Sequence, residues 1–305
     1  MLRILSMNHG CKHFWIITEL GLQFRSYVIT LKNSNSHRLF TSSLQMTDQP
    51  LRKLEFLHAN GFPASSYRQL FKNFEDFDVH FVESLGQFER GLPQDWESIA
   101  DQVLSQMNSH QPSVGVGHSL GAVVLLYAAE QRPEAFTNII LLDPPLFSFG
   151  KRASLWLLKK FGKMDRVTPA RTALRRREAF SSHQEAFDQL RKRSFFRKFS
   201  DQVLTDYVSN GFIEQADCVK LHIPKELEYH LFQTIPLHFS KSWKGLEGHL
   251  VFASDKGVLQ QSDRNELRRT LPGFQQTAFN GGHMFPLEQP EKTAEIIRTL
   301  INSRD

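Results

Sequence analysis

From residue 51 onward, short apolar runs alternate with stretches whose apolar residues recur every three or four positions. LRKLEFLHA (51–59) reads as a strand, SSYRQLFKNF (65–74) as a helix and DVHFVESL (78–85) as a second strand. DWESIADQVLSQM (95–107) carries Ile99, Val103 and Met107 on one helical stripe. The run 113–117 is a third strand, AVVLLYAA (122–129) a buried helix, and NIILLD, ending at Asp143, a fourth strand. Strands that alternate with helices predict a mostly parallel sheet covered by helices on both faces.

The alternation stops at Pro144. Residues 146–240 show helical patterns and no convincing buried strand: SLWLLKKFGKM, EAFSSHQEAFDQLRKR, SDQVLTDYVSNG and PKELEYHLFQTI. HLVFAS (249–254) and QQTAF (275–279) then resume the strand pattern, and TAEIIRTLIN closes with a helix. The predicted organisation is one α/β core, residues 48–145 and 241–305, interrupted by a helical lid over 146–240. Residues 1–47 set Arg3, Lys12, Arg25, Lys32 and Arg38 against Glu19. This leader reads as a targeting segment, as two early strands (LQFRSYVITL and HRLFTSS), or as a stretch ahead of a start at Met46.

Composition adds less than the distribution of charge. The two cysteines, Cys11 and Cys218, imply no disulfide framework and suit a reducing, cytoplasmic compartment. The formal charge is +5, but residues 151–198 hold fifteen Lys or Arg against four Asp or Glu, which is +11, and leave −6 for the remainder. Basicity is therefore a property of the lid, and no nucleic-acid partner is expected without a recognised nucleic-acid fold.

The chemistry sits where a strand runs into a helix. In VGVGHSLGA (114–122), Gly117 and Gly121 flank Ser119 at the spacing of a nucleophile elbow, a turn so tight that side chains two positions either side of its tip are excluded. A serine hydroxyl needs a base, an orienting acid and donors for the developing oxyanion. His283, in NGGHMFP after the last strand, is the candidate base. Asp255, at the end of HLVFAS in SDKG, is the first candidate acid; Asp143 is the alternative and Asp263 a third. The amides of Leu120 and of Phe62, in HANGFP (58–63), are the candidate oxyanion donors.

With those residues in place, the chain resembles the α/β-hydrolase superfamily, in particular its one-lid serine hydrolases. HANGFPASSY resembles the family's His-Gly-Phe-Pro oxyanion loop, GHSLG its elbow, SDKGV its acid turn and GGHMFPLEQPE its histidine loop with the last helix. Asn60 stands where the family usually has histidine, and ESLGQFERG replaces a common Asp-x-x-Gly-x-Gly-x-Ser loop. The resemblance implies hydrolysis of a carboxylic ester, of lipid or thioester type, with no metal or organic cofactor. Acyl transfer or carbon–carbon hydrolysis on the same triad, and a non-catalytic small-molecule receptor, are the alternatives.

The lid permits three readings. Leu157, Phe161 and Met164 form a helical stripe, with Lys159, Lys160 and Lys163 over much of the remaining surface. Such a helix packs on its own core with a solvated basic face, lines an acyl pocket, or lies on an anionic membrane.

Overall fold

The computed structural model describes residues 2–4, 13–18, 26–30, 51–107 and 111–303, with side chains from residue 51 onward. The chain divides into two units, Met1–Gln49 and Pro50–Asp305. In the first, β1 (Leu2–Ile4), β2 (His13–Thr18) and β3 (Ser26–Thr30) form an antiparallel sheet in that order. β3 falls within the first of the two predicted early strands. The second, over 37–43, lies outside the described residues, as does Met46.

The second unit begins with β4 (Arg52–Leu57), whose last four residues are buried. The helix expected next is shorter than its pattern: a 3₁₀ turn over Ala64–Tyr67 runs into α1 (Arg68–Phe71). β5 (Phe77–Phe81) and α2 (Trp96–Gln106) follow, the helix capped by Asp95, which accepts the Ser98 N–H. Then come β6 (Ser113–His118), α3 (Leu120–Gln131) and β7 (Phe136–Leu142).

Between β7 and the next core strand the chain forms α4 (Phe149–Lys160), α5 (Ala170–Leu174), β8 (Ala179–Phe180), α6 (His183–Arg191) and α7 (Asp201–Gly211). β9 (Phe212–Gln215), β10 (Cys218–Leu221) and α8 (Lys225–Gln233) complete this segment. It is not wholly helical, as its sequence suggested. β8, β10 and β9 pair as a small antiparallel sheet. Strands of two to four residues carry too little alternation to be read. The core resumes with β11 (Glu247–Ala253), α9 (Gln261–Thr270), β12 (Gly273–Phe279), α10 (Phe285–Glu288) and α11 (Pro290–Asn302).

The main sheet has six parallel strands in the order β12-β11-β7-β6-β4-β5. Successive residues of its strands feed opposite cores. Ile140 and Leu142 pack on one side with Ile297 and Ile301 of α11, while Ile139 and Leu141 pack on the other with residues of α2 and α3. Burial on both faces explains why the central strands are continuous apolar runs. From β4 the chain steps outward to β5 and returns to β6 on the far side of β4. The sheet's switch point therefore lies between β4 and β6, where open α/β sheets bind ligands beyond the carboxyl ends of the strands.

Candidate active site

At that switch point β6 turns into α3 through Ser119 alone. Its φ of 54° and ψ of −114° lie in a region that residues with a side chain rarely adopt. A Cβ at Gly117 would stand 2.5 Å from the Ala122 Cα, and one at Gly121 only 2.1 Å from the Leu57 carbonyl oxygen. Both contacts are with backbone, so no rotamer change relieves them. The two glycines are steric requirements of the turn.

The elbow aims the hydroxyl at the loop after β12. Ser119 Oγ lies 3.1 Å from His283 Nε2, and His283 Nδ1 lies 2.7 Å from Asp143 Oδ2. The carboxylate accepts from Nδ1–H, which leaves Nε2 free to accept the serine proton. Asp143 is fully buried and follows β7 at a φ of 44°. Its carboxylate also accepts the backbone N–H groups of Ala253, at 3.2 Å, and Val258, at 2.9 Å. Three donors thus fix it in the orientation His283 needs.

The acid beside the histidine is therefore Asp143 and not Asp255. Asp255 does follow β11, but its side chain is exposed and faces Lys198 Nζ at 3.9 Å. Only its backbone serves the site, donating to the Gly281 carbonyl at 3.0 Å and steadying the histidine loop. Asp263, the third candidate, is buried at the start of α9. It accepts from Ser148 N, Gln260 N and Lys151 Nζ, at 2.8, 2.8 and 2.6 Å, and acts as a helix cap.

Of the two expected oxyanion donors, the Leu120 amide is the first of α3 and so has no acceptor within the helix. The Phe62 amide is engaged. It closes a turn onto the Ala59 carbonyl at 3.2 Å, with Gly61 at φ 77° inside the turn. That bond lies at the long end of the ordinary range.

Three buried side chains missed by the sequence reading brace these loops. His58 donates from Nδ1 to the Ala59 carbonyl at 2.8 Å and accepts the Leu85 N–H at Nε2, 2.7 Å away. Burial pushes its imidazole down to about 4, so the ring is neutral. The Tyr67 hydroxyl accepts the Ala59 N–H and donates to His118 Nδ1, at 3.2 and 2.8 Å. His118 Nε2–H then donates to the His283 carbonyl at 2.9 Å. Burial holds the His118 ring well below the usual imidazole range. One neutral chain of hydrogen bonds thus joins the loop after β4 to the loop of the candidate base. Asn60, which stands in place of the expected histidine, instead donates its side-chain amide to the Glu228 carbonyl at 3.0 Å.

Ser119 opens into a chamber of about 1260 Å³ between the sheet and the segment 146–240. Its walls are mainly apolar, with Phe62, Leu155, Leu158, Phe196, Phe232 and Met284 among them. Five cations also line it, Lys151, Arg175, Arg176, Arg177 and Arg193; the Arg176 guanidinium bonds to the Glu228 carboxylate and to the Tyr207 hydroxyl. Among the described residues no cluster of three metal-ligating side chains occurs.

No curated protein matches the sequence. Solved structures share the fold at low identity. E-2-(acetamidomethylene)succinate hydrolase is 13% identical, with a TM-score of 0.66 and coverage of 99% of this chain and 100% of that one. A peroxisomal α/β-hydrolase of Saccharomyces cerevisiae is 15% identical, with a TM-score of 0.63 over 99% of this chain and 87% of that one. An esterase of Mycobacterium tuberculosis is 16% identical, with a TM-score of 0.61 over 99% and 92%. Sequence likeness carries the assignment further, because the model of the alpha/beta hydrolase family matches residues 56–296, most of the chain, and the protein belongs to that family.

Proposed function

We propose that this hydrolase cleaves carboxylic esters of apolar acyl groups through a covalent acyl-serine. Ser119 attacks the acyl carbonyl and its proton passes to His283 Nε2, 3.1 Å away. Asp143 holds the ring in the required tautomer and stabilises the imidazolium that forms. The imidazolium then gives the proton to the leaving alcohol or thiol. Water, deprotonated by the same histidine, releases the acid and restores the serine. The developing oxyanion takes the Leu120 N–H, with the Phe62 N–H shared between it and the Ala59 carbonyl.

The observation that carries this reading is a serine on a strained elbow, in line with a histidine and a buried carboxylate, facing a large apolar chamber. The mainly apolar walls of the chamber support an acyl chain, and Arg176 within it is neutralised by Glu228. A panel of nitrophenyl esters from acetate to palmitate, with matching acyl thioesters, tests it. Efficiency should rise with chain length before it falls. No turnover of any member by folded protein would contradict the reading.

A further inference from the structure

The segment after β7 presents a surface that neither core explains. None of the twelve residues of α4 is buried. Lys151, Leu155 and Leu158 line the chamber from one side of the helix. Phe149, Trp156 and Leu157, about half a turn away around the axis, face outward and are 71, 52 and 49% exposed. Phe161, just beyond the helix, is 63% exposed, whereas the exposed Val167 and Phe195 line the chamber and belong to its wall. Four of the eleven exposed large apolar side chains among the described residues thus lie within the thirteen positions 149–161. Single exposed apolar residues are ordinary; a concentration of this kind marks a binding surface.

Cations surround it. Among the described residues, Lys159, Lys160, Lys163 and Arg166 make no ion pair, whereas Arg171 is paired with Asp165. Lys160 lies over the Trp156 ring at 5.6 Å and Lys163 over the Phe161 ring at 5.9 Å. Asp95 and Glu97 stand across a cleft from Lys159 and Lys160 without pairing with them. Bulky apolar groups ringed by unpaired cations match a surface that is apolar beneath and anionic on top. Among the described residues no helix is long and apolar enough to cross a membrane, so the match is to lying on a bilayer.

The geometry points to the outward face of α4 and the turn after it, Phe149 to Lys163, as a docking surface for an anionic phospholipid bilayer. Exposed rings enter the interface while the lysines stay at headgroup level. The same helix lines the chamber with its other face, so a docked bilayer lies one helix away from the chamber that Ser119 opens into. This surface stands apart from the reaction assigned to Ser119, and it is tested without turnover.

The test is co-sedimentation of the full chain with vesicles of phosphatidylcholine alone or with phosphatidylglycerol added, at low and high salt. Binding should require the anionic lipid and weaken steeply with salt, because screening acts within about 8 Å at physiological ionic strength. Replacing Lys159, Lys160 and Lys163 together by Gln should lower the partition coefficient by about two orders of magnitude, at roughly fivefold for each cation. Trp156→Ser with Phe161→Ser should lower it as well. The far-UV circular dichroism and urea midpoint of both variants should match the wild type, which reports that they fold. Absence of binding at low salt, equal binding to phosphatidylcholine alone, or binding unchanged by the substitutions would overturn the assignment.

Discussion

Asp143 meets His283 from a strand end whose backbone is held in the left-handed region, at φ 44°, with Oδ2 2.7 Å from Nδ1. Ser119 and Asp143 therefore both occupy backbone conformations that cost stability, of order 1–3 kcal/mol each. They stand at the carboxyl ends of adjacent strands, β6 and β7, and His283 reaches them from the loop beyond β12.

Asp143→Asn should lower kcat by about ten-thousand-fold, because the amide favours the wrong imidazole tautomer. Asp255→Asn should stay within about twofold, as an exposed surface substitution does. Steady-state kinetics of the two purified variants on one ester checks this. The opposite ranking would return the acid to the loop after β11.

The choice between these two acids shows where sequence reading ends. Ser119 and His283 were legible because their surroundings are stereochemically narrow. Two glycines forced by backbone contacts mark the one, and a Gly-Gly loop after the last strand marks the other. Asp143 and Asp255 both follow apolar strands and both satisfy the order serine, acid, histidine. What separates them is the position of β7 between β6 and β11, together with the backbone twist at Asp143. Neither leaves a mark in local pattern. The bracing residues His58, Tyr67 and His118 were hidden for a similar reason: their partners lie 27, 51 and 165 positions away along the chain. The parallel sheet was readable, since strands buried on both faces are apolar throughout. The helix α9 was not, because only Asp263 and Leu267 in it are buried.

Tyr67→Phe should cost about 2 kcal/mol of stability. It strips the acceptor from the Ala59 N–H and the donor from His118 Nδ1, both buried, and leaves them unsatisfied. The urea midpoint at constant m-value reads this directly. A neutral effect would show that the link between the two loops carries no energy.

Acid should destabilise the fold through His58. Its pKa is near 4 in the folded chain and about 6.5 unfolded, so between those values the unfolded state binds more protons. Stability therefore rises with pH across that window and is lost as pH falls through it. From pH 7.5 to pH 5 the wild type should lose about 2 kcal/mol more than His58→Gln, whose side chain keeps a donor and an acceptor but does not titrate. Urea unfolding at the two pH values gives the difference. Equal losses in both proteins would show that His58 binds a proton in the folded state.

The central claim is that Ser119 is the nucleophile. The most direct measurement is mass spectrometry after incubation with a fluorophosphonate, which phosphonylates only a serine that is activated by a base and served by an oxyanion site. The account predicts one adduct per wild-type chain, mapped to the peptide that carries Ser119. It predicts none in folded Ser119→Ala and sharply slowed labelling in His283→Ala. An unlabelled wild type, or an adduct that persists when Ser119 is alanine, would contradict it.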